Sequence, residues 1–500
     1  MKKISLYSGV PALVLFALLA GYPLRGESPE TDLAETVLSS SSLDKPNSVY
    51  TVDQVLDLAG KTLVLPKGSI LQFKSGGMLR NGAVVGDYTS ISGSGVLFDR
   101  VKLSGTWAVP NISTAMFKDL SYDNSLQDVF ALLNDGVDNT LVIEKGDYWV
   151  KAEKNAIAPL NVGSNNTIVI DGNIRLRPND LQRSYALRVI DATNVMISGT
   201  GSVVGEKDQH LGEDGEWGMG IYIANSSNVV VDGLSVSNCW GDCITTTSTC
   251  SDVIIRNCTL SNARRQGISI CGGRNVTVKN CLITDISGTA PEYGIDIEPD
   301  GGKAASNIIL DGVEVRRCKG GIMTYGGAKD ASVSGIQVIN CVVDSLSGSK
   351  HAYSFEKSSD IIVDNCKAFD NKGIGVHILN SKNVTVRNSN LRSGPRVWWT
   401  IYTKNYENVR IEGNTLEGER YAFEYLTDLV LKDNVIKCGN LSNPNYPATG
   451  VEIVGNRIDG KIVHRISDSV IRKNEFTDNS FVNTLKTLQR VSSESNILSK

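Results

Sequence analysis

A short block of alternating apolar residues recurs along most of this 500-residue sequence. Each copy follows the pattern N-V-x-V-x-N/G, as in NVVVDG and NVTVKN, with Asn or Asp in first place. The copies begin at Asn166, Asn194, Asn228, Asp252, Asn275, Asn307, Asp360, Asn383, Asn408 and Asp428. Several successive copies begin 23 or 25 residues apart. Short strands at this period, with no helices between them, predict a parallel solenoid whose coils stack at about 4.8 Å.

Asparagine and cysteine follow the same period. An Asn or Gly after each strand can adopt the tight backbone conformation that a corner needs. Asn-Cys or Arg-Cys pairs occur at 257–258, 280–281, 317–318, 340–341 and 365–366. Stacked coils would form an Asn ladder beside a column of thiols; a disulfide is within reach, but free core cysteines are expected. The NCWGDC stretch has no second cysteine pair or nearby histidine, so no zinc site is expected there.

The N-terminus and the charge balance bear on location and partners. Lys2 and Lys3 precede an apolar run, Val10 to Ala20, that is too short to span a bilayer well. This pattern predicts a signal peptide over residues 1–26; a retained anchor is the alternative. Tyr22 stands where a lipoprotein signal would have cysteine, so we expect a secreted or periplasmic protein without an integral membrane segment. A balance of 50 Lys and Arg against 54 Asp and Glu argues against a nucleic-acid partner.

Two further regions flank the repeats. Residues 45–112 contain short strands with Gly-rich turns and predict an N-terminal β module. The stretch DNSLQDVFALLNDG places Leu126, Val129, Phe130 and Leu133 at helical spacing after a polar cap, which predicts a short helix covering the open end of the solenoid. The solenoid itself is expected over residues 120–480. Residues 481–500 are expected to form a C-terminal cap or tail.

With these features the chain resembles the right-handed parallel β-helix superfamily of pectate lyases and polygalacturonases. The helix followed by LVIEKGDYWV is similar to the usual start of that fold. The resemblance implies an all-β, single-stranded right-handed parallel β-helix with an N-terminal capping helix. Locally, GDCITT at 241–246 is similar to the GDDCI of family 28 glycoside hydrolases, and RQGISI at 265–270 to their GHGISI. This sequence has Cys243 or Gly241 in place of one Asp, and Gln266 in place of the histidine.

Aligning one strand of each coil on its inward residues predicts two columns of outward side chains, because side chains alternate faces along a strand. The first column is Thr245, Ser269, Asp296, Met323, Ser354, Gly375 and Thr400. The second is Thr247, Cys271, Glu298, Tyr325, Glu356, His377 and Tyr402. Asp242, Arg265, Gln266 and Tyr293 lie just before these strands.

Carboxylates concentrate in these columns. The Cα atoms of Asp296 and Glu298 should be roughly 6–7 Å apart, and those of Glu298 and Glu356, two coils apart, about 9–10 Å. Glycosidase carboxyl groups lie about 5–10 Å apart, and clustering raises the pKa of a general acid. We therefore predict that Asp296, Glu298 and Glu356 are catalytic, together with His377.

Basic, polar and aromatic residues around the columns are candidates for binding substrate. Arg264 and Arg265 could clamp a carboxylate or sulfate of a glycan, or could be ordinary surface charges. Only one of Trp398 and Trp399 can face outward as a sugar platform. The predicted substrate-binding residues are Asp242, Arg264, Arg265, Gln266, Tyr293, Tyr325, Trp398 and Tyr402. The segment HLGEDGEWG, from His210, is expected to be a loop at the rim of the cleft.

The main hypothesis is an exported enzyme that cleaves an acidic polysaccharide in a groove on the β-helix. Hydrolysis is the favoured reaction. A polysaccharide lyase acting on a uronate glycan is an alternative and would use His377, Tyr325 or Tyr402 as base. The second alternative is a non-catalytic β-helix protein that binds glycans or lies at the cell surface. No cofactor is expected. Calcium is the alternative, but DIEPDGG lacks the Asp and Asn alternation of a calcium loop.

Overall fold

The computed structural model describes residues 35–37, 43–247, 249–394, 397, 399–424, 427–442, 445–446, 448–461, 466–477 and 489–498. The predicted signal peptide, residues 1–26, and Trp398 lie outside these residues. Within them, no helix has the length and apolar character needed to cross a membrane.

The chain winds into a solenoid with three parallel faces, and every strand pairing between coils is parallel. The face that carries the candidate site, called the site face, consists of Leu160–Val162, Arg183–Ile190, Trp217–Ala224, Ile244–Thr247, Ile268–Cys271, Tyr293–Ile297, Gly320–Tyr325, Tyr353–Glu356, Val376–Leu379, Trp399–Lys404 and Tyr421–Phe423.

The second face precedes the site face in each coil. Its strands are Asp147–Val150, Asn173–Leu176, Ser202–Val204, Ser235–Ser237, Thr259–Ser261, Leu282–Thr284, Glu314–Arg316, Val342–Asp344, Lys367–Phe369, Asn390–Arg392, Thr415–Glu417, Val435–Ser442, Arg457–Lys461, Glu475–Phe476 and Ile497–Leu498.

The third face contains the repeated blocks of the sequence. Its strands are Asn111–Ser113, Asn139–Ile143, Asn166–Ile170, Thr193–Ser198, Ser227–Asp232, Ser251–Arg256, Gly273–Lys279, Ala304–Asp311, Ser332–Ile339, Ser359–Asp364, Lys382–Arg387, Glu407–Glu412, Leu429–Lys432, Ala448–Thr449, Glu452–Val454, Ile466–Arg472 and Gln489–Glu494. This arrangement confirms the predicted parallel β-helix. The last coil lies in the segment expected to be a cap or tail.

Apolar and polar residues alternate along the strands, and the apolar side chains fill the interior of the solenoid. In Ser251–Arg256, Val253 and Ile255 point inward and are fully buried, while Asp252 is exposed. The same position of successive coils supplies columns of aliphatic side chains, such as Ile244, Ile268 and Ile295. One continuous core therefore extends through the solenoid.

Asparagine shapes the corners, as predicted. Asn228 and Asn257 adopt left-handed backbone conformations with φ of 52° and 55°. The Asn365 amide donates to Asn340 Oδ1 at 2.7 Å, one coil away. All ten cysteines are free, and all are buried except Cys271 and Cys438, which are partly buried. The ladder and the free thiols are thus confirmed.

The N-terminal region is itself built of parallel strands. They are Glu35–Val37, Val49–Val52, Val55–Asp57, Thr62–Val64, Ile70–Phe73, Met78–Ser92 and Phe98–Trp107. A short 3-10 helix, Thr114–Met116, follows them, and a second one, Lys207–Gln209, lies within the solenoid. The helix is short, Ser125–Phe130, and buries Leu126, Val129 and Phe130. It packs between the last strand of this region and the first strands of the solenoid. Asn124 does not cap the helix; its Oδ1 accepts a hydrogen bond from the Lys151 amide.

The outward columns agree with the sequence alignment up to Ser354 and then differ. Ser354 pairs with His377 instead of Gly375, and Glu356 pairs with Leu379 instead of His377. Apolar residues alternate at Ile374, Val376 and Ile378, so alternation alone allows two registers. The structure places Val376 and Ile378 in the core columns, which moves His377 into the column of Asp296.

Candidate active site

A pocket of about 480 Å³ opens on the site face. Its walls carry five carboxyl groups, two guanidinium groups and several aromatic rings. The lining residues are Arg183, Tyr185, Glu216, Trp217, Met219, Tyr222, Asp242, Thr245, Thr247, Arg265, Ser269, Cys271, Asp296, Glu298, Pro299, Asp300, Gly301 and Ala328. The volume is in the range of ligand-binding clefts.

Asp296 lies at the floor of the pocket. Its neighbours Ile295 and Ile297 belong to the core, which fixes the strand and turns Asp296 outward while leaving only 3% of it exposed. Gln266 Nε2 donates to Asp296 Oδ2 at 2.8 Å, and Gln266 Oε1 accepts from the Tyr293 amide at 2.8 Å. This second bond orients the Gln266 amide, so the Asp296 carboxyl is held in one position.

A second acid, Glu298, lies near this carboxyl group. Asp296 Oδ1 is buried and has no hydrogen-bond donor among the described residues. Burial raises the pKa of Asp296 well above its usual value, and the Glu298 charge raises it further. Burial also raises the pKa of Glu298, against the lowering effect of Arg265 and of a hydrogen bond from Asp296. Asp296 therefore keeps the proton of this pair.

Asp242 is fully buried in a different electrostatic environment. Thr245 Oγ1 donates to Asp242 Oδ2 at 2.9 Å, and Arg265 Nη1 lies 3.9 Å from the same oxygen. Burial raises the pKa of Asp242, and Arg265, Ser269 and Thr245 oppose that shift. Because Asp242 faces a cation and Asp296 faces an anion, Asp242 loses its proton first.

The rim of the pocket comes from an insertion before the strand Trp217–Ala224. Glu216 in this insertion lies 3.5 Å from Arg265. Arg264 holds the insertion in place by donating to the carbonyls of Gly215 and Glu213 at 2.6 and 3.3 Å. Its guanidinium also lies 3.8 Å from the centre of the Trp240 ring.

Aromatic rings continue along the site face on both sides of the pocket. Tyr185 and Tyr222 stack with their ring centres 4.2 Å apart. On the other side, His377 stacks between His351 at 4.3 Å and Tyr402 at 5.1 Å. Burial lowers the pKa of His377 to about 3, so its ring is neutral near pH 7.

The structure brings four predicted site residues together in the pocket: Asp296, Glu298, Asp242 and Arg265. Gln266 was expected to bind substrate but is fully buried, because it bridges Asp296 and the Tyr293 backbone. Arg264 is used to anchor the insertion. Trp398 lies outside the described residues.

The remaining predicted residues lie elsewhere on the site face. The predicted pairing of Glu356 with His377 depended on the register that the structure corrects. Lys357 lies over the Tyr325 ring, and Lys350 lies over the largely buried Tyr293 ring, at 5.3 and 5.7 Å from the ring centres. The residues that do not line the pocket are Glu356, His377, Tyr325, Tyr402 and Tyr293.

Several lining residues were not singled out from the sequence. Asp300 lies outside the predicted columns, yet its carboxylate reaches the pocket beside Thr247. Glu216 was assigned only to a rim loop. Tyr222 could have been found by extending the outward column one coil backward, since Ile221 and Ile223 are the inward pair of that strand. An insertion has no period, so no comparable signal marks Glu216.

A family model described as a right-handed β-helix region matches residues 160–302, 290–398 and 333–498. The chain belongs to this right-handed β-helix family. Two proteins of Bacillus subtilis strain 168, both named as uncharacterized, are similar over part of the chain. YclG is 35% identical over 32% of this chain, and the prophage-derived YorA is 25% identical over 36%. The matches span 32% and 39% of the length of these relatives.

Among solved structures, the A-module of the mannuronan C-5 epimerase AlgE6 from Azotobacter vinelandii is similar at 11% identity. The match covers 76% of this chain and 97% of the module, with a TM-score of 0.42.

On this β-helix the pocket combines two buried carboxyl groups in opposite electrostatic environments. Such a pair can supply one acid and one base at the same pH. Among the described residues, no group of three or more His, Cys, Asp or Glu side chains is arranged to hold a metal ion.

Proposed function

We propose that this β-helix protein is a glycoside hydrolase that cleaves a polysaccharide lying along its site face. The observation that carries the proposal is a pair of buried carboxyl groups that line one pocket: Asp296 near the Glu298 carboxyl, and Asp242 with its Oδ2 3.9 Å from Arg265 Nη1. Glycoside hydrolysis needs one carboxylic acid and one carboxylate flanking the scissile bond.

In the proposed reaction Asp296 donates its proton to the glycosidic oxygen as the leaving sugar departs. Asp242, in its carboxylate form, activates a water molecule or attacks the sugar directly. Gln266 holds the acid in position, and the Arg265 charge favours the carboxylate form of Asp242. Activity should fall as pH rises through the raised pKa of Asp296, because the acid is then lost.

The aromatic rings of the site face support an extended substrate. Tyr222 lies three coils before Asp296 in the same outward column, and Tyr402 lies four coils after it. Seven coil spacings amount to about 34 Å. Rings present flat apolar surfaces that pack against sugar rings, so a chain of several sugars could contact both ends.

Hydrolysis is better supported than elimination. A lyase would need a base near the acidic carbon of a uronate. The groups considered for that role, His377, Tyr325 and Tyr402, do not line the pocket.

The test is a screen of the purified protein against neutral and acidic polysaccharides, with reducing-end release and ultraviolet absorbance of unsaturated products measured together. Hydrolysis predicts new reducing ends without unsaturated products. Unsaturated products would establish a lyase instead. Glycan binding that survives Asp296→Asn and Asp242→Asn, with no turnover in any variant, would establish a non-catalytic binding protein.

We also propose that the protein is exported. Lys2, Lys3 and the apolar run that follows support a cleaved signal peptide. Mass spectrometry of the protein from its host should find an N-terminus near residue 27; an intact N-terminus on a membrane-bound form would contradict export as a soluble protein.

A further inference from the structure

The charges around the pocket are unbalanced. Five carboxyl groups line it: Glu216, Asp242, Asp296, Glu298 and Asp300. Two guanidinium groups, Arg183 and Arg265, oppose them. Even with Asp296 protonated, the other four carboxyl groups outnumber the two guanidinium groups. A negatively charged sugar entering the pocket would be repelled.

The cations near the pocket already face other groups of the protein. Arg265 lies between Glu216 and Asp242, at 3.5 and 3.9 Å. Arg264, outside the pocket lining, donates to two backbone carbonyls of the insertion. Arg183 is exposed at the rim, where its guanidinium lies 5.1 Å from the centre of the Trp217 ring. Among the described residues Arg265 is the guanidinium at the floor. Its Nε is buried without a hydrogen-bond partner, but two carboxyl groups flank it, so a sugar carboxylate would compete with them for this cation.

The floor also presents two carboxyl oxygens that have no hydrogen-bond donor in the described part of the chain. Asp242 Oδ1, Asp296 Oδ1 and Ser269 Oγ are buried, and none of these atoms has a hydrogen-bond partner among the described residues. Asp242 and Asp296 are 0% and 3% exposed, and both line the pocket. Buried acceptors of this kind are satisfied by ligand hydroxyl or ammonium groups, whereas a carboxylate would add further acceptors.

We infer that the sugar bound at the floor of this pocket is a neutral or amino sugar, and that uronates are excluded there. The inference rests on the proposed hydrolase function and revises the acidic substrate expected from the sequence. It concerns only the unit in the pocket; acidic units farther along the site face are compatible with it.

The test uses matched pairs of polysaccharides, each as the native uronate polymer and as the same polymer after chemical reduction of its carboxyl groups. Initial rates of reducing-end release are compared within each pair, and binding of both members to Asp296→Asn is measured by calorimetry. We expect the carboxyl-reduced member to be cleaved at least about tenfold faster, as expected for one unit charge at roughly 10 Å from another at an effective dielectric near 20.

A charge variant sharpens the comparison. Asp300→Asn removes one carboxylate from the exposed side of the pocket, so the rate on the uronate member should rise relative to the reduced member. Glu314→Gln, on the second face, removes a carboxylate remote from the pocket and should leave the ratio unchanged.

The outcomes separate the two proposals. Faster cleavage of the uronate member would overturn the present inference and leave the hydrolase proposal standing. Equal rates on both members, unaffected by Asp300→Asn, would overturn it as well. Absence of binding and cleavage across all pairs would overturn both.

Discussion

Two buried aspartates differ in function because their neighbours differ in charge. Asp296 lies near the half-buried carboxyl group of Glu298, whereas Asp242 lies near the guanidinium group of Arg265. Each carboxyl has one oxygen held by a neutral donor, Gln266 or Thr245, and one that faces the pocket without a donor among the described residues. The geometry is similar and the electrostatics are opposite.

Asp296→Asn should lower kcat by on the order of 10²–10⁴, the usual contribution of a general acid. The change is isosteric, the new amide can still accept from Gln266, and the melting temperature should stay near that of the wild type. Steady-state kinetics and thermal unfolding measure the two effects. Glu356→Gln, which the sequence suggested but which does not line the pocket, should retain most activity; equal loss in both variants would contradict the assignment.

The same residue should make stability depend on pH. The pKa of Asp296 is raised in the folded state, so its contribution is fully present below the ordinary carboxyl pKa and is lost as pH rises through the folded value. Asp296→Asn should therefore lose less unfolding free energy than the wild type over that range. Denaturant unfolding at several pH values measures this difference. If the unfolding free energies of the wild type and of Asp296→Asn changed in parallel with pH, Asp296 would not be protonated in the folded state.

At the scale of elements, one insertion is fixed by a stack of side chains. Trp240 lies between the His210 ring, 3.9 Å away, and the Arg264 guanidinium, 3.8 Å away. This stack and the two carbonyl bonds from Arg264 position Glu216 and Trp217 at the rim.

Arg264→Met should free the insertion, since hydrogen bonds to a charged group contribute about 1.5–3 kcal/mol each. We expect KM to rise by about tenfold with little change in kcat, because Arg264 does not line the pocket. Limited proteolysis should also cut the insertion faster. Arg256→Met, which removes an arginine that pairs with Asp232 on the third face, away from the insertion, is the control. An equal rise in KM in that variant would exclude a local role of Arg264.

A corner ladder offers an equally sharp test of the coils. Asn434 is 1% exposed; its amide donates to the Ile411 carbonyl at 2.7 Å, and its Oδ1 accepts from the Asn414 backbone at 2.9 Å. Asn434→Ala leaves both backbone groups buried without partners and should cost about 2–5 kcal/mol.

Asn173 provides the control for that variant. Its amide donates to Asp147 at 3.0 Å and its Oδ1 accepts from the Ser202 hydroxyl at 2.7 Å. Water can replace both partners at this solvent-accessible corner, so Asn173→Ala should cost less than about 1 kcal/mol by denaturant unfolding. Equal costs in the two variants would mean that the buried ladder does not stabilise the coils more than a surface bond.

At the scale of the whole molecule, the packing of successive coils stabilises the fold without disulfide bonds. The core extends through the solenoid and the cysteines occupy it as free thiols. A thiol reagent should therefore modify at most two of the ten cysteines in the native protein, Cys271 and Cys438, and all ten after unfolding. A reductant should leave the melting temperature unchanged. A fall in melting temperature on reduction, or fewer than ten thiols after unfolding, would reveal disulfides.

The fold could be predicted because its causes are local and repeated. Alternating Val and Ile in each block, followed by Asn or Gly at the corner, encode the same strand and turn in coil after coil. Errors at one copy do not change the prediction made from the others. The inward Ile295 and Ile297, and with them the outward direction of Asp296, followed from this pattern.

The candidate site was only partly predictable, because it depends on contacts that have no period. The register between Ser354 and His377 was ambiguous by two residues, and only core packing of Val376 and Ile378 decides it. The insertion that brings Glu216 to Arg265, and the burial that turns Gln266 from a surface residue into the support of Asp296, arise from three-dimensional packing. The sequence alone determined the coil and its outward acids; the tertiary structure decided which acids share a pocket and which of them keeps its proton, because pKa depends on burial and on neighbours brought together from different coils.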